Sequence, residues 1–161
     1  MLSPQEEAWL DQEDAHTAEI IRQHGVYIQS VGGDPSTKEA PFAYTVGLFG
    51  THHPELAIVG LSTGNAGAVL NDVAARVRAG EVLVAGMVLG FGTDWPHRVL
   101  VEDVPNPGEI AFAANRYYQR PNEASVPLLQ LTYDDRDGRF PTDDGYSNPD
   151  WVQPRPGDWR G

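Results

Sequence analysis

Cysteine is absent from this chain of 161 residues, and that absence removes whole classes of chemistry. There is no disulfide framework, no thiolate metal site, no iron–sulfur cluster and no cysteine nucleophile. Basic residues are scarce: 11 Lys and Arg stand against 23 Asp and Glu, a formal net charge of −12. Such a surface repels phosphate backbones and anionic headgroups, so general nucleic-acid binding and membrane binding are not expected. Long hydrophobic runs are also lacking, and no stretch approaches the roughly 18 apolar residues of a membrane span. The N-terminal stretch carries Glu6, Glu7, Asp11, Glu13, Asp14 and Glu19 without a lysine or arginine among them, unlike a signal peptide. A cytoplasmic protein is the expectation.

What is present fits one domain, long enough to bury a core without covalent staples. The 13 Pro and 17 Gly promise many tight turns. Residues 3–24 read as a helix, with Ser3 as cap, Pro4 in the first turn, Glu6 completing a capping box and Gly25 as terminator. Val26–Val31 is a strand, and the loop 32–40 closes a hairpin onto the strand 41–48. A strand over 56–61 follows. In the helix over 64–79, Ala66, Val69, Leu70, Val73, Ala74 and Val77 recur at helical spacing before Gly80. Strands are expected over 81–87, 97–104 and 128–133, with a helix from Asn106 through Tyr118 that cannot pass Pro121 unbroken. The expected core includes Ile28, Phe42, Val46, Ile58, Val69, Leu70, Val73, Val84, Leu100, Phe112, Leu129 and Leu131.

Short turns join consecutive strands more often than helices do. The expected fold is therefore α+β: an antiparallel or mixed sheet of about six strands, open or curled toward a barrel, with three helices outside. The division is a capping helix (1–24), a single α+β domain (25–156) and a flexible tail (157–161).

Several segments, taken in order, resemble one family. They are Phe42-Ala-Tyr-Thr-Val-Gly-Leu48, His53-Pro-Glu-Leu56, Gly60-Leu61, Leu70-Asn71, Gly80, Leu129-Gln-Leu131, Asp135 with Gly138-Arg-Phe-Pro141, and Gln153-Pro154. The pattern is similar to the bacterial family called domain of unknown function 4262, over about residues 20–156. The resemblance implies a single bacterial domain and carries no activity with it. The N-terminal helix lies largely outside it.

Chemistry-bearing residues concentrate in and after the strand 41–48. Phe42, Tyr44 and Val46 share one face, while Ala43, Thr45 and Gly47 share the other. His52, His53 and Glu55, with His97 or an aspartate of 134–144, have the donor types of a divalent metal site. Their spacing is not diagnostic, and His53-Pro54 also suits a strand start with its imidazole bonded to backbone. Ser62–Gly67 offers free amides at a helix start but lacks a P-loop lysine. Asp134–Arg139 resembles a calcium loop without its final glutamate. No serine sits in a nucleophile elbow.

The residues assign no cofactor and do not decide whether the protein is an enzyme. The leading expectation is a small-molecule pocket near strand 41–48 and the His53–Glu55 turn, built from Tyr44, Thr45, His53, Glu55, Gln130 and Arg139. A flavin-binding split barrel is one version. The alternatives are a non-catalytic module whose acidic surface meets a protein partner, and a metal-dependent hydrolase. Oligomeric state is not legible.

Overall fold

Six strands form one sheet: β1 (Tyr27–Val31), β2 (Phe42–Val46), β3 (Glu55–Val59), β4 (Val88–Leu89), β5 (Val99–Asp103) and β6 (Leu128–Tyr133). In the computed structural model, which describes all 161 residues, they are ordered β1-β2-β3-β6-β5-β4. Every neighbouring pair is antiparallel except β3 and β6. The sheet is open, with β1 and β4 as its edges, so the barrel-like version of the expected fold does not form. Three helices complete the α+β fold: α1 (Pro4–His24), α2 (Thr63–Arg78) and α3 (Phe112–Tyr117). None is long and apolar enough to cross a membrane.

The central strands β2, β3 and β6 are buried along their whole length, because both faces of the sheet are covered. One face meets α2, whose Val69, Leu70, Val73 and Ala74 pack against Leu56, Ile58, Leu129 and Leu131. Ser62 starts this helix, its hydroxyl accepting from the Asn65 amide, and Gly80 at φ +113° follows its end. The other face holds Tyr44, Val46, Ala57, Val59 and Leu128 under Ile110, Ala114 and Trp159. That cover is α3 and the irregular C-terminal segment rather than one long helix.

α1 has its expected capping box, with Ser3 and Glu6 bonding each other's amides. Gly25 ends it at φ +89° and donates to the Ile21 carbonyl. A side chain at Gly25 would collide with the Arg78 guanidinium, which donates to the His24 carbonyl. No residue of α1 is fully buried, and Trp9 is 59% exposed.

Expectations for two segments and for part of the core need correction. The strand over 81–87 is absent: the ladder with β5 is confined to Val88–Leu89, and before it only Gly86 N–H and the Met87 carbonyl reach β5, both at Val101. Two amides in the middle of the segment go elsewhere: Leu83 N–H to His53 Nε2 and Val84 N–H to Met87 Sδ. Val84 is 57% exposed and not core. The helix over 106–118 begins as a 3-10 turn at Pro107–Glu109 and becomes α-helical only at Phe112. Asn106 makes no side-chain capping bond: its Nδ2 donates to Glu109 and to the Trp159 carbonyl, and its Oδ1 is buried without a partner. Phe112, at the restart, is 46% exposed, while Ile28 and Leu100 are half-buried. At the chain end Trp159 is buried, and Gly161 N–H donates to the Glu109 carbonyl.

Candidate functional site

The β2–β3 turn, where the sequence concentrates polar groups, closes on itself. Glu55 is fully buried. Its Oε1 accepts from Thr45 Oγ1 (2.7 Å) and Leu48 N–H (3.1 Å), and its Oε2 from Gly47 N–H and Phe49 N–H (both 3.0 Å). Thr45 Oγ1 accepts from the Leu56 amide, so its own proton is free to go to Glu55. Successive backbone amides make an anion-binding concavity of this kind, and here the chain fills it with its own carboxylate. Gly47 sits at φ +136°, and a Cβ there would press to 3.0 Å from the Gly25 carbonyl. Burial pushes the Glu55 carboxyl up, while the hydrogen bonds from Phe49, Thr45, Gly47 and Leu48 pull it down. Four donors and no acceptor around the carboxyl demand the ionised form.

His53 is equally engaged. Its Nδ1 lies 2.8 Å from the Pro54 carbonyl and its Nε2 accepts from Leu83 N–H at 3.1 Å. That pair of partners fits the neutral ring with its proton on Nδ1. The imidazole thereby ties the 81–87 segment to the start of β3. Tyr44 reaches the opposite face, where its hydroxyl accepts from Ala113 N–H at 2.9 Å beside the start of α3. Burial pushes its phenol up to about 12.

Gln130 secures the C-terminal segment. Its Nε2 donates to the Pro154 carbonyl (3.1 Å), and its Oε1 accepts from the Trp159 indole (2.9 Å). Gln153 does the reverse service for β6, with its amide bonded to both N–H and C=O of Tyr133 at 2.9 Å. Arg155 adds a two-pronged ion pair with Glu102 at 2.6 and 2.9 Å. Arg139 lies apart, half-exposed, with its guanidinium on the Gly145 carbonyl and near Asp137. Beside it, Asp135 accepts from the Arg139, Asp137 and Ser147 amides and the Ser147 hydroxyl. These bonds hold its carboxyl below the usual range, the Arg139 amide contributing most.

Of the six residues read as a site, Thr45 and Glu55 meet each other, and the rest satisfy separate parts of the fold. None lines the largest cleft. His52, at φ +65°, is exposed beside the same turn. His97 pairs with Asp134 at 2.7 Å. No three His, Asp or Glu side chains converge so as to hold a metal ion.

The largest cleft, about 810 Å³, lies between the β1–β2 loop and the C-terminal segment. Its apolar lining includes Phe42, Val59, Trp151 and Trp159, with Phe42 and Trp159 packed at 5.0 Å between ring centroids. Lys38, Asp150 and Asp158 also line it and enter none of the ion pairs of the chain. Lys38, Asp150 and Asp158 sit in Gly/Pro-rich stretches without periodicity, so no sequence pattern marks them. Two signals were available: Lys38 is the single lysine of the chain, and Trp151 stands in an otherwise polar segment.

A family model described as domain of unknown function (DUF4262) matches residues 20–147. No curated protein and no solved structure matches the chain significantly.

Proposed function

Since the chain belongs to the DUF4262 family, whose description names no activity, we propose from geometry that it is a small-molecule-binding domain with its ligand in the cleft between the β1–β2 loop and the C-terminal segment. The observation that carries this reading is the contrast in commitment between two sets of polar groups. Glu55, His53, Tyr44 and Gln130 all have internal partners, whereas Lys38, Asp150 and Asp158 have no ion-pair partner and surround an aromatic-lined hollow. The volume of about 810 Å³ falls in the range of ligand pockets, roughly 300–1,000 Å³. The ligand thus lies next to β2 but not in the His53–Glu55 turn. No reaction is assigned to it.

The test is a thermal-shift screen with metabolite-sized compounds, run in parallel on Gly32→Trp. Gly32 lines the cleft, and a Cβ there meets open space, so tryptophan places a large ring at the rim of the cleft without straining the fold. A ligand of the cleft raises the melting temperature of the parent protein and leaves the variant unmoved. Hits that stabilise both equally contradict the assignment.

A second reading, an acidic module for a protein partner, is favoured by one observation: α1 leaves Trp9 59% exposed on a helix with no buried residue. Loss of a captured partner on deletion of residues 1–18 is its test. The flavin split-barrel version has lost its premise, because the sheet is open. The hydrolase version has no converging ligand set in its favour.

A further inference from the structure

We infer that the cleft selects an organic cation, an ammonium or related group carried on an apolar or aromatic body; this rests on the reading of the cleft as the ligand site. Six charged residues line it: Lys38, Arg155 and Arg160 against Glu39, Asp150 and Asp158. The balance is only nominal. Arg155 is held by both oxygens of Glu102, and Arg160 by Glu109 at 2.8 Å, and neither glutamate lines the cleft. What faces the hollow uncompensated is three carboxylates and one ammonium.

The surroundings have the same sign, since the chain as a whole carries −12. An anionic ligand would shed its hydration against that field, and a neutral one would gain nothing from it. Tyr146 and Trp151 also line the cleft, and aromatic quadrupoles attract a cation. A bare metal ion is a poor occupant, because no three acidic or imidazole groups converge and the hollow far exceeds one ion. An organic cation uses both features: its charge meets the carboxylates, and its body covers the aromatic wall.

Titration calorimetry and tryptophan fluorescence on the full chain, with three probes of similar size, decide the matter. Phenyltrimethylammonium should bind, while phenylacetate and benzyl alcohol should bind more weakly or not at all. Gly32→Trp should abolish the cation signal. Asp150→Asn and Asp158→Asn should each weaken it about two- to fivefold, as for exposed charges. Lys38→Ala should strengthen it by a similar factor, because a like charge is removed. Added salt should weaken it further.

The outcomes separate the two levels of the argument. Preference for phenylacetate, with Lys38→Ala weakening it and Gly32→Trp abolishing it, would overturn the cation and leave the cleft standing. Preference for benzyl alcohol, indifferent to all three charge variants but lost in Gly32→Trp, would do the same. Cation binding that survives Gly32→Trp places the site elsewhere and overturns both. So does the absence of binding by all three probes at millimolar concentration.

Discussion

The two faces of the sheet are covered in different ways. Against one lies α2, a helix of 16 residues whose buried side chains are all Ala, Val and Leu. Against the other lie the six-residue α3 and a C-terminal segment that is held by polar contacts: Gln130 to Trp159 and Pro154, Gln153 to Tyr133, Arg155 to Glu102. A helix covers a sheet evenly, and the hollow beside α2, lined by Val26, Asn71 and Ala74 among others, is only about 270 Å³. An irregular segment fixed at a few points leaves gaps between them, and the largest cleft of the molecule opens there. The regular face holds the fold together, and the irregular face has room for chemistry.

The strongest way to break this comparison is Val73→Asp. Val73 is wholly buried between α2 and the sheet, so an unpaired carboxylate there should cost at least ~3 kcal/mol and leave little folded protein. An unchanged melting curve would remove α2 from its structural role. Trp159→Ala on the other face should cost somewhat less, about 2–4 kcal/mol, from lost burial and an unpaired Gln130 oxygen. Its signature should be local. Limited proteolysis should open the segment after Tyr133 while the circular dichroism of the sheet and helices persists. Global unfolding would instead make the tail part of the main core.

Glu55→Gln tests the motif that stands between the faces. The amide group would turn N–H donors toward the Gly47, Leu48 or Phe49 amides, so chemical denaturation should show a loss of about 1–3 kcal/mol. A stabilised variant would mean that removing the buried charge outweighs the mismatch.

The smallest effect concerns pH. The Asp135 carboxyl lies below its usual range, so the folded state binds its proton less readily than the unfolded chain. Its contribution is complete above the ordinary carboxylate range and declines as pH falls through that range toward the lowered value. Asp135→Asn should therefore flatten the acid side of the melting-temperature profile without changing its shape at neutral pH. An acid limb identical to that of the parent would show that the Asp135 bonds contribute nothing measurable.

Much of the architecture was legible because it depends on local rules. The Ser3–Glu6 box, the Val69–Val77 periodicity and the 32–40 hairpin loop each follow from neighbouring residues. The segment 81–87 was misread because its alternating valines imitate a strand, while its amide partner, His53 Nε2, lies 30 residues away. The Asn106-Pro107-Gly108-Glu109 start signal yields only a 3-10 turn, with the Asn106 amide committed to Trp159, 53 residues on. In the polar motif the sequence shows the residue types, and the structure shows their partners: Thr45 bonds Glu55, and His53, Tyr44 and Gln130 each bond elsewhere in the fold. A buried glutamate satisfied by three backbone amides has the same sequence appearance as one awaiting a ligand. Only coordinates distinguish them, and the cleft residues Lys38 and Trp151 have no local pattern at all.

Amide shift mapping by NMR tests the central claim most directly. On titration with phenyltrimethylammonium, or with a compound found in the thermal-shift screen, the amides of residues 38–40 and 151–160 should move together and saturate at one affinity. The Gly47, Leu48 and Phe49 amides, already occupied by Glu55, should stay in place. Saturable shifts centred on those three amides and His53, with the C-terminal segment unmoved, would contradict the account.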